Sequence, residues 1–168
     1  SLEKEVDMTM GTFSKTFASL GGFVAGDAKV INYLKHHSPA LIFSASPTPS
    51  SVAAALAALH VLIEEPERVT KLVSNAAKMR KGFKEIGFKI IENQTAIVPV
   101  IIGDDMLSFL FWKDLYENGV FVNVFISPGV PQGMQMMRTS YMATHEDIHL
   151  DQILDAFKNT GKKLGIIN

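Results

Sequence analysis

From Ser51 to Phe88 the chain is one long helical passage, "SVAAALAALHVLIEE" followed by "ERVTKLVSNAAKMRKGFKEIGF", interrupted only at Pro66. The first part is alanine- and leucine-rich, which favours helix intrinsically, and "PTPSS" ahead of it is a break. In the second part Val69, Leu72, Val73, Ala76, Phe83 and Ile86 fall on one face, and Gly87 is placed to end it. A passage of this length excludes an all-β fold and divides the strand signals into two groups.

The first group lies before the passage. "VDMTMGT" (6–12) and "GGFVAGD" (21–27) read as short strands on either side of a loop. "DAKVINYLKHH" reads as a helix capped by Asp27, and "ALIFSAS" (40–46) has the composition of a buried strand. After the passage come "FKIIE", "AIVPVIIGDD", "VFVNVFI" and "MQMMRTSYM" as strands, with "MLSFLFWKDLYENG" as a helix among them. Pro99 places its strand at a sheet edge or a bulge, because proline has no N–H for the ladder. "SPGVPQG" is a turn-rich loop, and Thr144 with Asp147 forms a T-x-x-D cap for a last helix bearing Ile153, Leu154 and Phe157 on one face. The fold class that follows is α/β, with an α+β arrangement in the C-terminal part. Residues 1–46 form one structural unit and 47–168 a linking helix with an α+β domain.

Charge and composition narrow the function. The chain has 168 residues, enough for a real core, and 16 basic against 17 acidic residues leave a net charge of -1 with no basic run. Nucleic acid and anionic membrane surfaces are therefore poor partners. There is no cysteine, which removes disulfides and thiolate metal sites and makes a cytoplasmic setting the default. No apolar run has the length of a membrane span. The five histidines are not at metal-ligand spacing, and Asp104–Asp105 reads as a turn, so no metal site is expected. His145 reads as structural, within the cap of the last helix, and the methionines as fillers of core gaps.

The stretch that carries chemistry is "MGTFSKTFASLGGFVAGD" (10–27). It is not a GxxxxGK[ST] phosphate loop, because Ser14 and Thr9 stand where that motif needs glycines. What remains is Thr12, Ser14 and Lys15 in one tight turn with Gly21–Gly22 close behind. Hydroxyls and backbone N–H groups in such a turn hold a phosphate, and a lysine among them is an amine able to form an imine. That combination suits pyridoxal phosphate (PLP); a solvated loop lysine with local Ser/Thr hydrogen bonds is the other reading. Likewise Arg138, between apolar residues on a strand, reads on spacing alone as one end of a surface salt bridge.

"GTFSKTFASLGGFVAGD" resembles the active-site lysine segment of the α-oxoamine synthases, which are fold-type I PLP enzymes. "FSASPTPSSVAAALAAL", "VFVNVFISPGVP" and "MRTSYMATHEDI" follow in the family's order and spacing, so the resemblance covers essentially the whole chain. "TFSK" and "FSAS" resemble the bacterial serine palmitoyltransferase branch more than the 8-amino-7-oxononanoate synthase or 2-amino-3-ketobutyrate ligase branches. The resemblance implies a fragment of a PLP-dependent transferase, the end of the large domain plus the small C-terminal domain. It implies that Lys15 bonds the cofactor and, once displaced, takes the α-proton of the amino acid. By the same resemblance Thr12 and Ser14 lie at the cofactor phosphate, Ser44 reaches the phosphate of a neighbouring subunit's cofactor in a homodimer, and Arg138 meets the substrate carboxylate. The implied reaction condenses an amino acid with an acyl-CoA, with decarboxylation, to a 3-oxo amine, as in sphingolipid biosynthesis.

The family's histidine that stacks on the cofactor ring and its aspartate paired with the ring nitrogen both precede the lysine. Here only fourteen residues do. The expectation is thus the C-terminal half of an enzyme, catalytically incompetent alone and binding PLP weakly or not at all. A non-catalytic small-domain module used for folding or association is the competing reading.

Overall fold

The computed structural model describes residues 4–168, which divide into two compact units, 4–66 and Glu67–Asn168. In the first unit, β1 (Met8–Thr12) and β2 (Gly22–Gly26) form an antiparallel hairpin with Met8 opposite Gly26 and Thr12 opposite Gly22. A Cβ on Gly22 would lie 2.4 Å from the Gly11 carbonyl oxygen, so only glycine lets the two strands approach there. Helix α1 (Ala28–His37) begins as expected, with the Asp27 side chain accepting from the Lys29 N–H. The long helix α3 (Pro49–Glu64) is capped by Thr48, which accepts from the Ser51 N–H.

The segment "ALIFSAS" is not a strand. Pro39–Ile42 forms a single helical turn, α2, and Leu41, Ile42 and Phe43 are all exposed. Proline at the first helical position has the φ a helix needs, and the N–H groups of Leu41 and Ile42 both reach the Ser38 carbonyl. Among the described residues no strand pairs with this segment, so its β-propensity has nothing to act on.

The second unit is a three-stranded antiparallel sheet, in the order β3–β5–β4, with helices packed on it. Its strands are β3 (Ile97–Ile101), β4 (Asn123–Phe125) and β5 (Met136–Ser140). Its helices are α4 (Glu67–Glu85), α5 (Asp105–Glu117) and α6 (Asp147–Lys163). Period-two alternation turns Val98, Val100, Met137 and Thr139 into the core and leaves Pro99, Arg138, Asn123 and Phe125 on the opposite face. Against the inward face lie Phe83, Phe88, Phe111 and Phe157, which contact one another with ring centroids 4.8–6.3 Å apart.

Pro99 sits on an edge strand, as its chemistry requires. Its carbonyl accepts from Ile91 on the outer side of β3, so its missing N–H faces outward too and leaves the β5 ladder intact. The same proline explains why "FKIIE" is reduced to one bridge, Ile90 to Val100: the outer ladder lacks a donor at its next position. The buried stripe of α4 differs from the expected one. Ala76, Met79 and Phe83 are buried, whereas Val69 and Val73 are exposed. Gly87, at φ +100°, ends the helix, and Phe88 N–H closes back on the Phe83 carbonyl. The cap of α6 is Glu146, two residues later than a Thr144 cap would be.

Candidate functional site

Lys15 lies in the 13–21 loop between β1 and β2. Two backbone bonds close the base of this loop, Phe13 N–H to the Gly21 carbonyl at 2.9 Å and Ser19 N–H to the Phe13 carbonyl at 2.8 Å. Within it, Ala18 N–H returns to the Lys15 carbonyl at 3.0 Å, with Ala18 in the left-handed region at φ +47°. The Ser19 hydroxyl donates to the Ser51 carbonyl at 2.6 Å and ties the loop to the first turn of α3. Underneath, Phe13 packs edge-on to Phe17 and against Phe23. These rings, with Leu20, Leu56 and Leu59, line an apolar cavity of about 410 Å³.

Where β1 runs into the loop the polar groups converge. The Lys15 ammonium donates to the Ser14 hydroxyl at 3.2 Å, and the Ser14 and Thr12 hydroxyls share a hydrogen bond at 3.3 Å. All three residues are exposed, so the cluster faces outward with an amine and two hydroxyls that can donate. Ser44 belongs to the same unit but not to this cluster: its hydroxyl bonds the Ala40 carbonyl across the end of α2.

Arg138 belongs to the second unit. It occupies the middle strand between Pro99 and Asn123, and its guanidinium carbon lies 5.9 Å from the centre of the Phe125 ring. Among the described residues no carboxylate pairs with Arg138, and the salt-bridge reading of this residue is replaced by an aromatic contact. Arg138 lines a groove of about 970 Å³, together with Asn123, Tyr141, His145, His149 and Asn159. Burial pushes the Tyr141 hydroxyl far above its ordinary range and draws His145 below that of a free imidazole, with His149 adding to the second effect.

Sequence reasoning passed over Phe125 and His149. Phe125 sits on the same face as Arg138 in a neighbouring strand and one pair along, a relation visible only once the strand register is known. Among the described residues no group of acidic, histidine or cysteine side chains is arranged to hold a metal, and no helix is long and apolar enough to cross a membrane.

Comparison with known proteins gives a consistent picture. Residues 1–157 match the family model for aminotransferase class I and II. The chain is 43% identical over 165 residues to serine palmitoyltransferase from Sphingobacterium spiritivorum, covering 98% of this chain and 41% of that protein. It is 40% identical over 166 residues to 8-amino-7-oxononanoate synthase from Thermosipho melanesiensis, covering 99% and 42%. A solved structure of SPT with a PLP internal aldimine superposes with a TM-score of 0.94 at 32% identity, covering 99% of this chain and 42% of that one. The chain thus spans about two fifths of the length of the curated relatives it matches.

Proposed function

The chain belongs to the aminotransferase class I and II family, and from that membership we propose that it supplies the lysine-bearing part of a PLP-dependent acyltransferase of the serine palmitoyltransferase kind. The observation that carries this reading is the convergence of Thr12, Ser14 and Lys15 where β1 runs into the loop. Their hydrogen bonds are to one another, so no other part of the chain competes with a ligand for them. Two hydroxyl donors suit a phosphate and a primary amine suits an aldehyde, so the residues present fit the phosphate and carbonyl ends of PLP. When bound, PLP supplies an electron sink for charge at the amino acid's α-carbon.

The remaining work falls to the chain's own side chains. Thr12 and Ser14 hold the phosphate by their hydroxyls. Lys15 holds the cofactor through Nζ and, when freed by the incoming amino acid, takes the α-proton on that nitrogen. Arg138, with no acidic partner, orients the amino acid by a bidentate bond to its carboxylate. Ser44 reaches a partner subunit's phosphate in a homodimer, for which its hydroxyl leaves the Ala40 carbonyl. The overall reaction joins an amino acid to an acyl-CoA with loss of carbon dioxide and release of the thiol, and it takes place in the cytoplasm. On this reading residues 1–46 are the end of the cofactor-binding domain, and 47–168 are the linking helix and small domain.

Alone, the chain is expected to be inactive and to bind PLP weakly. Support comes from the first unit, where Ala55 is the one buried apolar residue among those described, while Phe43, Leu20 and Ile63 are exposed. Surface of that kind in a hairpin-and-helix unit is core awaiting more polypeptide. The second unit, by contrast, holds a continuous core of its own, which keeps alive the reading of a folding or association module.

The test is a graft. Residues 4–168 replace the matching segment of the Sphingobacterium protein, and products are read by mass spectrometry with serine, alanine or glycine and an acyl-CoA. A 3-oxo amine formed from serine, and lost in Lys15→Ala, supports the proposal. The same product class from alanine favours the 8-amino-7-oxononanoate synthase branch, whose 40% identity is nearly as high. A folded graft that forms no condensation product sinks the acyltransferase reading.

A further inference from the structure

The segment "MATHEDIH" (142–149) contains the same local arrangement twice. The Met142 N–H donates to Nδ1 of His145 at 3.2 Å while the His145 N–H returns to the Met142 carbonyl at 3.2 Å. Four residues on, the Glu146 N–H donates to Nδ1 of His149 at 3.1 Å while the His149 N–H returns to the Glu146 carbonyl at 3.0 Å. A backbone N–H can only donate. Both Nδ1 atoms must therefore carry a lone pair, which fixes both rings as the neutral Nε2–H tautomer.

The two boxes are joined and anchored. The rings of His145 and His149 lie 6.3 Å apart, and the His145 ring stands edge-on to Tyr141 at 6.1 Å. From α4, the buried Asn75 amide donates to the carbonyls of both Met142 and His145 at 3.0 Å, so the first box rests on the core. We propose that this double histidine clasp is an acid-sensitive latch, which holds the loop between β5 and α6 closed while both rings are neutral and releases it when they gain protons.

Protonation puts a hydrogen on each Nδ1, turns acceptor into donor, and sets it against a backbone N–H. Two adjacent imidazolium charges would then also repel. Nearby charges do not turn a protonated Nδ1 back into an acceptor. Asp147 and Asp151 of α6 are both bonded to Lys78 of α4, at 3.0 and 2.7 Å, and Lys71 adds positive charge near Asp147. Glu146 lies between the two rings in sequence and is exposed, and the same groove is lined by Asp155 of α6, by Arg138 of β5 and by Tyr141 just after that strand. Tyr141 is buried, and burial keeps its hydroxyl protonated and neutral, so it brings no negative charge to an added proton. Because Arg138 lines the groove that the loop borders, release would change the groove's wall next to the arginine, whatever ligand that arginine takes.

The test uses the 168-residue chain. Hydrogen-exchange protection factors of the Met142 and Glu146 amides, corrected for intrinsic exchange, are followed from about pH 7.5 down to about pH 4, because burial and His149 place His145 below the ordinary imidazole range. A fall of about ten-fold is expected for these two amides, with Met137 and Thr139 in the strand unchanged. In His145→Asn/His149→Asn the amide oxygen takes the place of Nδ1 without titrating, so protection is expected to stay level. Unchanged protection in the wild type, or the same fall in the double variant, overturns the proposal. Imidazole ¹⁵N shifts of the wild type give a reading that needs no variant: protonated Nδ1 on either ring at about pH 7.5 overturns it equally.

Discussion

The Lys15 ammonium donates to the Ser14 hydroxyl at 3.2 Å. The contact lies at the start of a loop whose base is closed by backbone bonds and braced by the Phe13, Phe17 and Phe23 rings, so the amine is exposed on a braced segment. Ser14→Ala in the grafted enzyme removes one hydroxyl donor from the proposed phosphate site. PLP affinity is expected to fall about ten-fold, the worth of one hydrogen bond to a charged group, with Lys15 still labelled. Equilibrium titration checks it, and unchanged affinity would remove Ser14 from the site.

The contact of Arg138 with Phe125 has a separate consequence. The ring keeps the guanidinium from folding onto other groups, so Phe125→Leu is expected to raise KM for the amino acid several-fold with little change in kcat, and Phe125→Tyr to restore it. Equal loss in kcat alone would show that the ring does not act through substrate binding.

In the second unit the four-phenylalanine cluster is the centre of stability. Phe157 is wholly buried against Phe83 and Phe111, and Phe157→Ala is expected to cost about 3–5 kcal/mol. Phe43, 87% exposed in the first unit, is a contrasting site where the same change costs little in the isolated chain. Denaturant unfolding of the two variants separates them.

Much of this was legible in the sequence. Apolar spacing located α1, α4 and α6, alanine-rich composition located α3, Gly87 marked the end of α4, and Pro99 marked an edge strand or a bulge, because each depends on neighbours within a few residues. The lysine loop was legible for the same reason: Thr12, Ser14 and Lys15 are local to one another. What was not legible depends on partners distant in the chain. "ALIFSAS" has strand composition but no strand to pair with, and Thr144 was displaced as a cap by Glu146 because the histidine three residues further on completes a box with it. Phe125 and His149 stayed hidden until strand register and loop geometry placed them beside their partners.

Asp114 gives a pH-dependent prediction. Lys163 and the Thr160 hydroxyl both donate to its carboxylate, holding it below the usual carboxylate range. A carboxyl whose folded value is depressed contributes stability that is present above its unfolded value and is lost as pH falls through the folded one. Asp114→Asn is expected to lower Tm by about 4 °C at neutral pH, and the gap to the wild type should close in acid below the ordinary carboxylate range. A gap that persists there would show that the loss is not electrostatic.

The most direct measurement of the central claim is chemical trapping on the graft of residues 4–168 into the Sphingobacterium protein. The folded graft is loaded with PLP, reduced with borohydride, digested and sequenced by mass spectrometry. The expected result is one phosphopyridoxyl group per subunit on Lys15, absent in Lys15→Ala, while the isolated 168-residue chain shows no tight stoichiometric adduct. A label on a different lysine, or a folded graft that traps no cofactor, would contradict the assignment of Lys15.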